Sequence, residues 1–137
     1  MTPEQIKLVQ QSFAHVAPDA EEASQVFYTR LFEQAPEVRP LFKGDMRDQG
    51  KKLMAMLATV VQGLNDLDAL MPAIRALAVR HNDYKVEPAH YDHVGAALLW
   101  TFEQALGDAF TAETRNAWSE AYGVLAGAMI AASAEAR

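Results

Sequence analysis

The sequence predicts a single all-α domain, and three observations carry that prediction. Apolar residues recur at intervals of three and four along most of the chain, which is the period of an amphipathic helix. No stretch shows the sustained alternation that indicates a β-strand. The chain has 137 residues, 50% of them hydrophobic, so one core can form without disulfides. We expect roughly six to eight helices, joined by short connections, in one domain covering the whole chain.

Composition and charge exclude several classes of function. Twelve Lys and Arg against eighteen Asp and Glu give a net charge of -6, and the basic residues are scattered, so nucleic acid is not an expected partner. Because Cys is absent, disulfides, zinc-thiolate sites and thiol catalysis are excluded. The N-terminus lacks a secretory signal, and no apolar run approaches the roughly 20 residues of a membrane span. We therefore expect a cytoplasmic protein without a membrane span.

Helix signals divide the first part of the chain into two helices and a corner. Residues 2–5, Thr-Pro-Glu-Gln, predict a helix start with a capping box. Pro18 and Asp19 are expected to end that helix and cap the next, whose inward face includes Tyr28. Two prolines within residues 36–40 cannot continue the second helix, so this segment predicts a tight corner that carries Phe42.

The middle of the chain predicts two more helices. The first restarts at Gly44 and Asp45 and has the polar side chain of Gln49 one turn before Leu53 on an otherwise apolar face. The second is expected to be capped by Asp68, and its inward face includes Ile74, Leu77, Ala78 and His81. We therefore expect the side chain of His81 to point inward, as those of its apolar neighbours do.

Two long helices complete the predicted fold. The first starts at Glu87 and Pro88, carries Tyr91 and Val94 on its inner face, and ends near Gly107. The last begins at Thr111 or Ala112, and its inner positions include Trp118, Tyr122, Leu125 and Met129.

His81, Gln49 and Tyr28 each allow two interpretations. No carboxylate or second histidine lies one turn from His81, so the spacing provides no multidentate metal site. The imidazole is either a core histidine, which the pattern alone favours, or an axial ligand to a flat cofactor that supplies its own remaining donors. Gln49 and Tyr28 either bond to water and backbone at a boundary or face a cavity. Glu87-x-x-His90 resembles half of a di-iron site, but the second half is missing.

Six short motifs occur in one order along nearly the whole chain. They are Phe27-Tyr28-x-x-Leu31-Phe32, Pro36-Glu37-Val38-Arg39-Pro40-Leu41-Phe42, Gln49-x-x-x-Leu53, Leu77-Ala78-x-Arg80-His81, His90-Tyr91-x-x-Val94-Gly95 and Ala117-Trp118-x-x-Ala121-Tyr122. Together they resemble the bacterial single-domain globins related to Vitreoscilla-type haemoglobin, the haem domain of flavohaemoglobins and the hell's-gate-type globins. The resemblance implies a globin fold around a haem pocket.

The resemblance also implies a site that holds haem b, the iron protoporphyrin. His81 would be the proximal ligand of the iron, while Tyr28 and Gln49 would line the distal side and donate hydrogen bonds to O₂. The other residues implied to contact the cofactor are Phe42, Lys52, Leu53, Leu77, Arg80, Val86, Tyr91, Val94 and Tyr122. Among these, Leu53 would also crowd the distal pocket, and the cations Lys52 and Arg80 would pair with the propionates. Tyr91 would lie behind His81.

The implied function is reversible binding of O₂, NO or CO, for oxygen storage or delivery. Two alternatives remain open: nitric oxide dioxygenase activity with electrons from a separate reductase, and a sensor module that functions with or without haem. The chain contains no flavin or nicotinamide fingerprint. Ser133 stands where flavohaemoglobin-like relatives have a glutamate, which argues against strong dioxygenase chemistry. With Gln49 rather than histidine on the distal side, we expect an open or weakly occupied distal position.

Overall fold

Helices make up nearly all of the structure. The computed structural model describes residues 1–42, 44–83 and 88–136, with the side chains in these ranges except those of residues 81–83, 88, 135 and 136. Within these ranges the α-helices are α1 Pro3–Val16, α2 Ala20–Gln34, α3 Met46–Gln62, α4 Leu67–Asp83, α5 Pro88–Leu106 and α6 Ala112–Ala136. Short 3-10 segments cover Ala17–Asp19, Pro36–Leu41 and Gly107–Ala109. The described ranges contain no strand, and the all-α prediction is confirmed.

Local sequence signals set several helix ends. At the start of α1 the Thr2 hydroxyl accepts from the Gln5 N–H at 3.1 Å, and the Gln5 amide oxygen accepts from the Thr2 N–H at 2.9 Å, which is the predicted capping box. The Asp45 carboxylate caps α3 by accepting from the Arg47 N–H at 2.8 Å. Gly107 follows α5 with φ of 54°, a left-handed conformation that favours glycine.

Two caps differ from the sequence prediction. A 3-10 turn, Ala17–Asp19, separates α1 from α2, and the Asp19 side chain makes no capping hydrogen bond. Asp66, rather than Asp68, accepts from the N–H of Ala69 at 3.3 Å, so α4 begins at Leu67. Two aspartates two residues apart carry the same capping signal, and the path of the preceding turn determines which of them bonds.

The helices enclose two apolar clusters. The larger lies among α1, α2, α3, α5 and α6, and its most deeply buried large side chains are Val9, Leu31, Val38 and Phe102. The smaller, here named the α4/α6 cluster, consists of Leu70, Ile74, Tyr91, Leu125, Ala126 and Met129. Among the described residues, α4 packs most extensively on α6, and α2 on α5 and α3. None of the described helices is long and apolar enough to cross a membrane.

The α2/α3 crossing is unusually close because it is made at a glycine. Gly50 is buried on α3, and a methyl group added there would overlap the side chain of Ser24 on α2. Tyr28 lies one turn after Ser24, and Gln49 directly precedes Gly50. The crossing therefore brings the predicted pair Tyr28 and Gln49 to the same place.

In contrast, α3 and α4 are consecutive in the chain but are not among the closely packed helix pairs of the described residues. They approach each other at their connection, where Gly63 leaves room for Leu70: an added Cβ at Gly63 would lie 2.6 Å from Leu70 Cδ2. Beyond this connection, Met56 and Val60 of α3 pack against the α4/α6 cluster, to which Leu70 and Ile74 of α4 belong.

Candidate functional site

Three side chains on α3 follow one another at helical spacing along one face. Gln49 and Leu53 are half-buried, and Leu57 is buried. This face therefore changes from polar at the start of the helix to apolar toward the core. The polar end lies beside Tyr28, because of the crossing at Gly50.

Tyr28 places a hydrogen-bond donor inside this region. Its side chain is only 5% exposed, and its hydroxyl donates to the backbone carbonyl of Gln49 over 3.2 Å. Burial disfavours the charged phenolate and raises the pKa of Tyr28 from 10.0 to about 12. The group is therefore a neutral donor over the physiological pH range.

The raised pKa of Tyr28 predicts a pH-dependent contribution to stability. The folded chain keeps the phenol proton at pH values where the unfolded chain has lost it, so the contribution is complete below pH 10 and is lost as the pH rises through 12. Relative to Tyr28→Phe, the wild type should lose about 1 kcal/mol of unfolding free energy between about pH 9 and about pH 11. Urea unfolding at the two pH values measures this. A constant difference between the two proteins would contradict the assignment.

Three aromatic rings surround the ring of the Tyr28 donor. The Tyr28 ring centroid is 5.0 Å from that of Phe27, 5.9 Å from that of Phe32 and 5.3 Å from that of Phe42, the last in an edge-to-face geometry. The predicted corner after α2 brings Phe42 here, at the end of the 3-10 segment Pro36–Leu41. The half-buried Phe42 ring thus forms an apolar wall next to the donor.

The last turns of α4 carry the residues that the resemblance places on the proximal side. Ile74 and Ala78 are buried, Leu77 is half-buried, and Arg80 is exposed. Position 81 follows Leu77 and Ala78 at helical spacing. The backbone of His81 is in α4, but its side chain lies outside the described residues, as does the whole of Val86.

The start of α5 is tied to α6 through Tyr122. The Tyr122 hydroxyl donates to the backbone carbonyl of Tyr91 over 2.6 Å. Its ring occupies the space that the missing side chain of Gly95 leaves, since an added Cβ there would be 2.6 Å from Tyr122 Cε2. Burial, with smaller contributions from Tyr91 and Asp92, raises the pKa of Tyr122 above its usual range. Tyr91 is buried in the α4/α6 cluster, and the half-buried Val94 packs against the larger core.

Charged side chains occupy the solvent edge of the region. Lys52 and Arg80 are both exposed, on α3 and α4 respectively. His93 Nε2 lies 3.6 Å from Glu37 Oε1, which links the start of α5 to the corner after α2. Among the described side chains there is no group of three or more histidines and carboxylates that could hold a metal ion.

Of the residues that continue the region toward the core, sequence reasoning assigned only Tyr122 to the site. A void of about 10 Å³ is lined by Leu57, Val60, Val61, Leu64, Leu98, Trp118, Ala121, Tyr122 and Leu125. Helical spacing could have identified two more of them, because Leu57 follows Leu53, and Leu98 follows Val94, by one helical turn. Apolar side chains one turn beyond Leu53 and Val94 therefore extend the predicted site toward the core.

Comparison with known proteins places this geometry in context. A family model described as Globin matches residues 25–129. A flavohemoprotein from Rhodopirellula baltica is 36% identical over 124 residues, which cover 88% of this chain and 30% of the relative. A flavohemoprotein from Vibrio cholerae is 30% identical over 129 residues, covering 92% of this chain and 33% of the relative. The chain spans about a third of the length of these curated relatives.

A solved structure matches the chain over almost its full length. It is a bacterial globin from Campylobacter jejuni with 27% sequence identity and a TM-score of 0.87, and the match covers 98% of this chain and 97% of that one. The helices described above are therefore arranged as in that protein.

Proposed function

We propose, from the premise that the chain belongs to the globin family, that it is a haem protein that binds O₂ and other diatomic gases reversibly. The family resemblance and the globin fold predicted from the sequence are confirmed. The observation that carries the proposed function is the buried Tyr28 hydroxyl, a neutral donor held at the polar end of an otherwise apolar face of α3.

The residues present fit haem b. A porphyrin is flat and apolar with two anionic propionates, and the half-buried side chains of Leu53 on α3 and Leu77 on α4 would offer apolar surface to it. Phe42 adds an aromatic wall, and the exposed cations Lys52 and Arg80 suit the propionates. When bound, haem supplies an iron atom that one imidazole can hold from one side while a gas binds on the other.

We assign the proximal imidazole to His81. Position 81 continues the inward face of α4, and Tyr91 lies in the cluster into which that face packs. Leu77, Val86, Val94 and Tyr122 are assigned to packing around the ring. With His81 as the iron ligand from α4, Tyr28, Gln49 and Leu53 on α2 and α3 would line the side where a gas binds.

Tyr28 and Gln49 are assigned as donors to the ligand. The Tyr28 hydroxyl can turn about its C–O bond, so the proton that now meets the Gln49 carbonyl can instead meet a ligand oxygen. The Gln49 side-chain amide supplies a second N–H, and Leu53 one turn later limits the width of the pocket. Such donors favour O₂, whose bound form carries partial negative charge, over the less polar CO.

Replacement of Tyr28 by phenylalanine tests the first donor. Loss of one hydrogen bond worth about 1.4 kcal/mol should speed O₂ release about tenfold. Stopped-flow replacement of O₂ by CO measures the release rate, and CO release, which depends little on a donor, is the internal control. An O₂ release rate that is unchanged or slower in Tyr28→Phe would reject the assigned role.

Nitric oxide dioxygenase activity is the second candidate, since the curated relatives are flavohemoproteins. Ser133 on α6, which stands where the resemblance places a glutamate, is buried. A carboxylate near the proximal histidine would raise its basicity, so a serine at this position favours reversible binding. Fast, sustained consumption of NO by the protein with an added reductase would support the enzyme instead.

Absorption spectra test whether the chain is a haem protein at all. We expect the purified protein to show a Soret band that shifts on reduction with dithionite and again on addition of CO. A protein that takes up no hemin would be a haem-free sensor or contact module, and every ligand role assigned above would be wrong.

A further inference from the structure

In the corner between α2 and α3, the backbone of Phe42 is hydrogen-bonded to one residue, Arg39. Arg39 Nη1 donates to the backbone carbonyl of Phe42 over 3.2 Å. The backbone N–H of Phe42 donates in turn to the carbonyl of Arg39 over 3.1 Å. Both backbone polar groups of Phe42 are therefore bonded to the same residue, which fixes the peptide units on either side of the Phe42 side chain.

The same guanidinium also ties the corner to α2. Arg39 Cζ lies 5.1 Å from the ring centroid of Phe32, within the range of a cation-π contact. The Phe32 ring contacts the Phe42 ring edge to face, with centroids 5.4 Å apart. Arg39, Phe32 and Phe42 thus form a closed triangle, in which a change at Arg39 acts on Phe42 through the backbone and through the ring contact.

Phe42 connects Arg39 to Tyr28, the proposed distal donor. Its ring meets the Tyr28 ring edge to face at 5.3 Å, and Tyr28 stacks on Phe32 at 5.9 Å. The Tyr28 ring therefore packs between the rings of Phe32 and Phe42, both of which contact Arg39. Its hydroxyl then lies within hydrogen-bond distance of Gln49.

We propose that Arg39 is a positioning residue of the distal pocket: it fixes Phe42 against Tyr28 and so sets the direction of the Tyr28 donor. This inference rests on the function proposed above. It requires a planar guanidinium, because one group must stack on a ring and donate along its own plane to a carbonyl. A lysine ammonium can supply the charge and one hydrogen bond but not both contacts at once.

A matched control exists in the same chain. Arg30 on α2 places its Cζ 4.7 Å from the ring of Trp100 on α5, a contact of the same kind away from the corner. Arg30→Ala and Arg39→Ala remove the same charge and the same side chain. Arg39→Lys keeps the charge at the corner but loses the planar group.

The test compares these variants with the wild type as haem proteins. We expect Arg39→Ala to release hemin to an acceptor globin about fivefold faster and to broaden the C–O stretching band of the CO complex, which reports the direction of nearby donors. Arg39→Lys should resemble Arg39→Ala, and Arg30→Ala should resemble the wild type. Thermal unfolding of all four proteins shows whether stability alone changes.

Failure of the inference and failure of the proposed function give different results. If the wild type takes up no hemin, the proposed function is wrong; the positioning role is then measured by hydrogen exchange of the Phe42 amide, which should be several-fold faster in Arg39→Ala than in Arg30→Ala. If the wild type binds hemin and the C–O band is the same in both alanine variants, Arg39 does not position the donor. A lower melting temperature in Arg39→Ala with an unchanged C–O band would likewise reject the inference.

Discussion

Replacement of His81 by alanine should abolish stable haem binding. As proposed, the His81 imidazole would bond to the iron, and residues that only support a metal ligand already contribute about 10- to 100-fold to metal affinity. We therefore expect hemin affinity to fall by more than about 100-fold. Titration with hemin, followed at the Soret band, measures the change.

His15 provides the control for this experiment. It lies exposed in the last turn of α1, a helix that contributes no residue to the candidate site, and His15→Ala removes the same side chain. Wild-type hemin affinity in His81→Ala would contradict the assignment. A loss of affinity on replacement of His90 or His93 instead would move the ligand to the start of α5. Imidazole added to His81→Ala should restore part of the spectrum by filling the same position.

Replacement of Gly95 by alanine should lower the stability of the protein substantially. The new methyl group would lie 2.6 Å from Tyr122 Cε2, and an aromatic ring held by its own hydrogen bond has no free direction in which to move. Overpacking and the weakened Tyr122 hydrogen bond should outweigh the better helix propensity of alanine, for a net loss of about 2 kcal/mol. Urea unfolding monitored by circular dichroism measures the change.

Gly123→Ala isolates the effect of helix propensity. Gly123 is also in the middle of a helix, but an added Cβ there meets nothing within 4 Å. This variant should be more stable than the wild type by up to about 1 kcal/mol. Combining Gly95→Ala with Tyr122→Ala should cost less than the sum of the two single losses, because the clashing ring is gone. A Gly95→Ala protein as stable as Gly123→Ala would show that the contact with Tyr122 relaxes freely.

Local sequence was sufficient for the fold class and for several helix ends. The capping box at Thr2, the corner after α2 and the end of α5 at Gly107 each depend on a few neighbouring residues, so their signals survive without tertiary information. The choice between Asp66 and Asp68 as the cap of α4 cannot be made from neighbouring residues alone. Both aspartates offer the same side chain, and only the turn after α3 distinguishes them.

Helical spacing was likewise sufficient to group the inward residues of each helix, but not to pair residues across helices. That Tyr28 bonds to the backbone of Gln49 depends on how closely α2 and α3 cross, which is a property of Ser24 and Gly50 rather than of either partner. The contacts of Arg39 were invisible for a similar reason. An exposed arginine in a corner reads as a solvated charge until the ring of Phe32 is placed beside it.

Because of the crossing at Ser24 and Gly50, the width of the proposed pocket depends on residues other than its hydrogen-bond donors. Side-chain volume at these two positions sets the distance between α2 and α3, while the groups proposed to contact a ligand lie on the neighbouring residues. Pairs of substitutions that keep the combined volume constant should leave the pocket unchanged, and pairs that increase it should widen the pocket with every donor retained. The chain thus offers a steric control of ligand selectivity that is independent of hydrogen bonding.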